Sequence, residues 1–583
     1  MALVIAAVMV LGTVNFAFAD DPVPAPQTIS ITNLEKDDSV QFYKILSWAT
    51  DSATAEAKGA VSGWYWEEPF ATAFDNNGDH GKAKLLAAID ENNNLMITDT
   101  LAGEIARALN HTTGKTPVVI GNPITVTTDG GSATHTFEAV AEGSTVNDGL
   151  YMAIITPAKQ DTTYNPVFVH LDHDTKTDSH DAPETSEYWN NEGAAKKSTH
   201  TTTKTSSNAT DYNGDEGDTA AVGDILSFTV TSDIPGYGDV FQDPFFNLTD
   251  TLKDLKPVVD DTHPFVVKVD GEEVAAGADT FSVSGNQTNS TTYTVEFKPA
   301  FLKDSNIARP LVITYFAKVT SEALANINKE KNTVQLEFSH DSTTEDGSHP
   351  GGYKKYEKDI TNHYTFTIDA NNLVGENDLI GESSTEIVKI SVDKNGNPIS
   401  KETKTESNVT PGKYQESPLA GAKFDLYKVT DNNWTKGEKI KQDLVSDANG
   451  RIKIDGLDEG KYVLVETSAP AGYVKNSNDL HIEIIANVTE TEQITEYYDQ
   501  AGNWYATEQA AKDAEKAVSG ETDIDKKVGP YTYTTKELLG YTVNYNGTVS
   551  EYTFQHRMEG SDEIKWKISK SEEVPGSIRA VAK

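Results

Sequence analysis

The chain contains no cysteine. Disulfides, thiolate metal sites, cysteine nucleophiles and Cys-based thioesters are therefore excluded. Basic residues are scarce: 49 Lys and Arg stand against 90 Asp and Glu, for a formal charge of -41 over 583 residues. So acidic a chain is repelled by nucleic acid and by anionic membrane surfaces, and neither is expected as a partner. Beyond residue 19 no apolar run is long enough to span a bilayer, so no membrane-spanning segment is expected in the mature chain. No Gly-rich phosphate loop follows a strand and no nucleophile elbow is present, so no cofactor is expected.

Hydrophobic residues make up 37% of the chain, enough for modest β-sandwich cores. Thr, Val, Ile, Tyr and Phe recur throughout and suit half-buried strands. The length exceeds what one core can hold and points to three or four domains. At the N-terminus Ala2 to Phe18 is uncharged and apolar, and Ala17-Phe18-Ala19 before Asp20 fits a signal-peptidase site, although no Lys or Arg precedes the run. Residues 1–19 are thus read as a cleaved signal and the protein as secreted. A large exported protein without disulfides needs good packing, bound metal or another cross-link.

After a Pro-rich tether, strand-like runs begin at Ile29 and at Val40 to Leu46. Lys82 to Glu91 is Ala/Leu-rich, and Leu101, Ile105, Ala108 and Leu109 have helical spacing. Strands resume near Pro117 and run to about Leu171. This gives a first domain over 20–195, β with a helical insertion. A second β domain over 196–345 opens with the alternation of Leu226, Phe228 and Val230, one buried face of a strand. A third, over 353–583, holds Ile387 to Asp393, Pro418 to Tyr427 and Tyr462 to Glu466. It is interrupted by a helix-prone stretch from Thr507, a plausible N-cap, to Val518.

In the third domain "LAGAKFDLY" from Leu419 and "YVLVETSAPAGY" ending at Tyr473 resemble the CnaB/SpaA prealbumin-like domains of Gram-positive surface proteins. The second domain resembles the isopeptide-forming domain of fimbrial subunits. The residues that carry this likeness are Lys204, "AVGDILSFTVTSDIPGYGD" (Ala221 to Asp239), "LTDTL" (Leu248 to Leu252) and "KNTVQLEFS" (Lys331 to Ser339). The first domain resembles the N-terminal domain of such pilins through "FYKIL", "GLYMAI" and "TTYNPVFV". The resemblance implies a mainly β fold of tandem immunoglobulin-like and prealbumin-like sandwiches with small helical insertions. It also implies a structural pilus subunit at the cell surface or wall, with other pilin subunits and a sortase as partners. The alternative is a cell-wall or pilus-tip adhesin that binds a host-surface or matrix ligand. A wall-active glycosidase is a third reading, but no carboxylate pair marks it. The chain is expected not to be an enzyme, apart from single-turnover self-cross-linking.

In that chemistry a lysine amine attacks an asparagine carboxamide and expels ammonia. Burial favours the neutral amine, and a buried carboxyl group shuttles the proton. For the second domain the resemblance implies Lys204, Asn332 and Asp250, with Glu296 as the reserve acid. His340 stands where related domains often carry a second Asn. For the third domain Glu466 matches the catalytic acid and Lys389 the lysine. The Asn expected near the last strand is absent, "IKWKISK" occupying Ile564 to Lys570, and Asn544, Asn546 or Asp562 are the substitutes. Lys196 and Lys197 resemble the intermolecular acceptor region, without the usual Tyr-Pro-Lys motif. Val574 to Ile578 faintly echoes a sorting motif, and no apolar span follows it. Asp211 to Asp218 has the composition of a calcium loop but the wrong glycine spacing, with Val222 at position twelve. His170, Asp172, His173 and Asp174 alternate faces on a strand and so do not converge on a metal. No metal site is expected.

Overall fold

The computed structural model describes residues 27–581 except 90–94, 112–113, 141–143, 145, 160, 172–190, 209–217, 286–290, 325–329, 346–350, 369–372, 375–386, 393–394, 396–417, 521–523, 526, 546–547, 558–563 and 572–575. The expected signal segment, the acidic loop up to residue 217, and Asp172 to Asp174 lie outside these residues. So do Asn546 and Asp562. The chain divides into two compact units, residues 1–158 with 164–196, and 159–163 with 197–583. No helix among the described residues is long and apolar enough to cross a membrane.

In the first unit Ser39–Trp48 is the hub of a five-stranded sheet, pairing with Trp64–Trp66, Val118–Thr125 and Gly149–Thr156, which in turn pairs with Val167–Leu171. A smaller sheet sets Thr28–Leu34 between Gly131–Thr136 and Glu192–Ala194. Helix Asp99–His111 lays Leu101, Ile105 and Leu109 on this unit's core beside Trp66, Phe70 and Leu150, as the 3.6-residue spacing requires. The Ala/Leu-rich stretch forms a shorter helix, Lys82–Ala87. Helix Ser52–Lys58 was not anticipated. It buries no residue, so it carries no apolar stripe, and only its caps mark it. The Asp51 carboxylate accepts the Thr54 N–H, and Gly59 closes the other end at φ 64°.

The second unit holds two domains. The first of them is a sandwich. One sheet runs Thr203–Asn208, Ile225–Ile234, Arg309–Val319, Val266–Val269, with Leu255–Val258 also on Arg309–Val319. The other runs Phe281–Ser284, Thr292–Phe297, Phe246–Leu252, Glu330–Ser339, Lys354–His363. Strict alternation along Ile225–Ile234 and Arg309–Val319 turns Leu226, Phe228, Val230, Leu311, Ile313 and Tyr315 into the core.

The start proposed for the third domain, near residue 353, is corrected by this sheet. Lys354–His363 pairs along its whole length with Glu330–Ser339 and completes the sandwich. The next core begins at Tyr364, Phe366 and Ile368. That core lies against a sheet in which Lys536–Tyr545, Leu480–Glu490, Gly460–Ser468, Lys423–Val429 and Lys436–Val445 are successive neighbours. Ile387–Val392 pairs in parallel with Gly576–Val581, so the faint sorting-motif echo runs into a strand. The helix-prone stretch forms helix Glu508–Ser519, its N-terminus capped by the Thr507 hydroxyl accepting the Ala510 N–H.

Ile105 is fully buried in the first unit. Ile105→Ala should destabilise that unit by about 2–5 kcal/mol. Tryptophan fluorescence during denaturant unfolding should show the first unit's transition moving to lower denaturant and the other staying in place.

Candidate functional site

In the sandwich of the second unit, strand parity directs three polar side chains inward among apolar neighbours. Lys204 is the buried residue of Thr203–Asn208 nearest the chain entry and sits opposite Val230. Asp250 lies in phase with Leu248 and Leu252, and Asn332 in phase with Val334, Leu336 and Phe338. Asp250 is paired with Val334, and Leu252 with Asn332, so the carboxylate and the carboxamide are diagonal neighbours on one sheet. Lys204 reaches them from the other sheet.

The Lys204 Nζ donates to Asp250 Oδ1 at 2.8 Å and Oδ2 at 2.6 Å, and to Asn332 Oδ1 at 2.5 Å. Asp250 and Asn332 are both 0% exposed. The Tyr293 and Tyr315 hydroxyls donate to Asp250 Oδ2 at 3.0 and 2.9 Å. Asn332 Nδ2 donates to the Tyr315 hydroxyl at 2.7 Å, which closes the ring of contacts. The ammonium also lies 5.3 Å from the centre of the Phe228 ring and 5.5 Å from that of Tyr315.

Burial lowers the Lys204 amine to about 8, with the Asp250 charge pulling it back up. Burial also holds the Tyr293 and Tyr315 phenols well above their ordinary range, so both stay protonated donors. Asp359, whose Oδ2 accepts the Lys204 backbone N–H at 2.7 Å, is pushed up by burial to about 6.

Glu296, the reserve acid, is corrected by the same parity. Tyr293, Val295 and Phe297 fill the core, and Glu296 between the last two is exposed on the outer face. Tyr293, Tyr315 and Phe228 were not anticipated in the site. Their alternation with polar residues marks them as core, and only the fold shows which core residues meet the lysine.

The third domain repeats part of this arrangement. Lys389 and Glu466 are buried, and the Lys389 Nζ donates to Glu466 Oε2 at 2.6 Å. The Asn476 backbone N–H donates to the same oxygen at 2.9 Å. Burial lowers the Lys389 amine. The lysine strand is pinned by a turn: the Lys389 N–H donates to the Gly450 carbonyl at 2.8 Å. Gly450 has φ 75°, and a Cβ there would meet the Lys389 carbonyl oxygen at 2.5 Å. The neighbouring strand, Gly576–Val581, places Ile578 opposite Lys389 and contains no Asn, Gln, Asp or Glu. Asn544 alternates with the core residues Val543 and Tyr545 and points to the other face of its strand.

Lys196 and Lys197 are exposed, Lys197 at the start of strand Lys197–Thr199. His170 is buried against Trp64, their ring centres 6.0 Å apart, and burial lowers it to about 4. Among the described residues no group of His, Asp and Glu is placed to hold a metal ion.

In an Asn332→Ala chain the Lys204 amine faces Asp250 without the carboxamide, and the stability of that chain should depend on pH. The folded amine loses its proton near 8 and the unfolded one near 10.5. Between these values the unfolded chain binds the extra proton, so stability should rise with pH across that window and be flat with respect to this group below it. Denaturant midpoints from pH 7 to 10.5 measure the slope; a midpoint that falls through the window contradicts the assignment.

Residues 408–501 match the SpaA prealbumin-like fold domain. No curated protein sequence matches the chain. Among solved structures, the T6 backbone pilin of serotype M6 Streptococcus pyogenes, a modular three-domain protein with variable loops and extensions, aligns over 97% of this chain and 100% of its own. The identity is 16% and the TM-score 0.50. The major pilin SpaD of Corynebacterium diphtheriae covers 79% of this chain and 91% of its own at 16% identity and TM-score 0.43. The major pilin SpaA of the same organism covers 78% and 95% at 15% identity and TM-score 0.38. The chain is therefore mainly β, built of tandem sandwich domains, with a fold similar to that of a three-domain backbone pilin and a SpaA-type prealbumin-like segment within it.

Proposed function

We propose that this protein is a structural subunit of a cell-surface pilus, braced by an autocatalytic isopeptide bond between Lys204 and Asn332. The observation that carries the reading is the fully buried contact of the Lys204 amine with both the Asn332 carboxamide and the Asp250 carboxylate. In this reading the ammonium first gives a proton to Asp250. The neutral amine attacks Asn332 Cγ, Nζ passes its second proton to the Asp250–Tyr315 relay, and the Cγ–Nδ2 bond breaks, leaving Asp250 protonated. The leaving nitrogen takes a proton through the Tyr315 hydroxyl, which lies between it and Asp250, and departs as ammonia. Fixed positions replace a bimolecular encounter with a local one.

Lys204 and Asn332 are 128 residues apart. By loop-closure arithmetic a link there stabilises the fold by about 5 kcal/mol. Mechanically it carries tension across the chain it bypasses. Export, assembly through a sortase and acceptance of the next subunit at Lys197 or Lys196 belong to the same reading. The fold similarity to a backbone pilin and the exposure of both lysines support it. Among the described residues the strand paired with Lys389 offers no carboxamide, and the Lys389–Glu466 contact is read as an ion pair.

The intact mass of the mature protein should fall short of its sequence by about 17 Da, one ammonia. Lys204→Ala, Asn332→Ala and Asp250→Ala should each restore the full mass. Tyr315→Phe should slow the loss, and Lys389→Ala should leave it unchanged. A full mass in the unsubstituted protein would refute the bond.

A further inference from the structure

We propose that the module inserted in the third domain, residues 491–535, is a mechanical clasp on the stretch of the second domain that the Lys204–Asn332 bond leaves unprotected. The inference rests on the pilus reading for its load and on the structure for its contacts.

Tension that enters at Lys204 crosses to Asn332 through the bond. It must then follow the chain along Glu330–Ser339, around the connection, and back along Lys354–His363 before it reaches the third-domain core at Tyr364. The two strands form an antiparallel hairpin in which Glu330 faces His363 and Ser339 faces Lys354. Asn332 faces Thr361. The anchored end and the pulled end of this hairpin therefore lie side by side. Pulled from there, an unsupported ladder opens one pair at a time from the His363 end, the weakest way to load it. No covalent link opposes this.

The inserted module lies against that strand. It consists of Ile494–Tyr498, Trp504–Tyr505 and Gly529–Tyr533 in one small sheet, with helix Glu508–Ser519. Its neck is closed by the Thr491 N–H donating to the Thr535 carbonyl at 2.8 Å. At the far end of the strand the Gln500 side chain takes both backbone groups of Lys354: Oε1 accepts its N–H at 2.7 Å and Nε2 donates to its carbonyl at 2.9 Å. At the near end Asn362 Nδ2 donates to the Thr535 hydroxyl at 3.0 Å, and that hydroxyl donates to the Ile360 carbonyl at 2.9 Å. Midway, Lys358 pairs with Glu496 and lies 4.3 Å from the centre of the Trp504 ring. Trp504 Nε1 then crosses to the next strand and donates to Gln335 Oε1 at 2.8 Å.

Held at both ends by one folded module, Lys354–His363 cannot lift off pair by pair. It must leave its ladder as a rigid piece, together with the Trp504–Gln335 contact. The clasp thus turns sequential opening into a single cooperative rupture.

Single-molecule pulling on the mature chain tests this, comparing the unsubstituted protein with a Gln500→Ala/Trp504→Ala variant and with Gln335→Ala, which leaves the module itself untouched. The substituted chains should show an added extension of about 100 Å, the reach of residues 333–363 at ~3.4 Å per residue, at lower force than the parent. They should also lose amide-exchange protection along 354–363 at rest, a readout that does not need the cross-link. Unchanged opening force and unchanged protection in both variants would overturn the clasp. Failure of the cross-link reads differently: the unsubstituted chain would extend by about 500 Å, the reach of residues 204–363, as Lys204→Ala should.

Discussion

An ammonium group sealed from water is the constraint around which the second domain is arranged. Removing such a charge from solvent is costly, and the cost is tolerable only with a close countercharge and satisfied donors. Lys204 has the Asp250 carboxylate, the Asn332 carboxamide oxygen and two aromatic faces. Each compensating group comes from a different strand, so relieving the buried charge requires both sheets in register. The groups that make the lysine bearable are also those that would let it react. An amide product would erase the ion pair, leaving a neutral link and a neutral acid, both easier to bury than the charges they replace.

The third domain repeats the opening pair, and among the described residues no third member stands beside it. Lys389 and Glu466 meet in a dry interior, but the partner strand offers glycine, serine, isoleucine, arginine, alanine and valine. Glu466 Oε1 is buried without a hydrogen-bond partner among the described residues. The pair adds to the backbone hydrogen bond with Gly450 in holding the lysine strand in place.

Much of this was legible in the sequence. Asp250 and Asn332 each stand in phase with the apolar residues of a short motif, so their inward direction is a matter of counting by two; Lys204 has only Thr, Ser and Asn in phase with it, and its inward direction comes from the fold. The same count, along Tyr293 to Phe297, puts Glu296 outside. What was not legible is which inward residues meet, because Tyr315 and Phe228 reach the lysine through sheet topology. The boundary near residue 353 failed for a different reason. Lys354–His363 has no regular apolar alternation, and its Glu357, Lys358 and Asn362 are satisfied by His200, Glu496 and Thr535, far away in sequence. A strand whose polar groups are answered by distant segments carries no alternation of its own to announce it.

The sequence distance between Lys204 and Asn332 has a consequence for folding history. Residues so far apart meet only after the intervening strands have taken their places, so a bond between them would follow the fold and could not guide it. A chain that closed with strands misplaced would keep its lysine and its carboxamide apart. The finished link would therefore be a molecular record that the topology was once correct. From then on the domain would no longer exchange with the unfolded ensemble from which it came, and its persistence would be a property of its chemistry more than of an equilibrium.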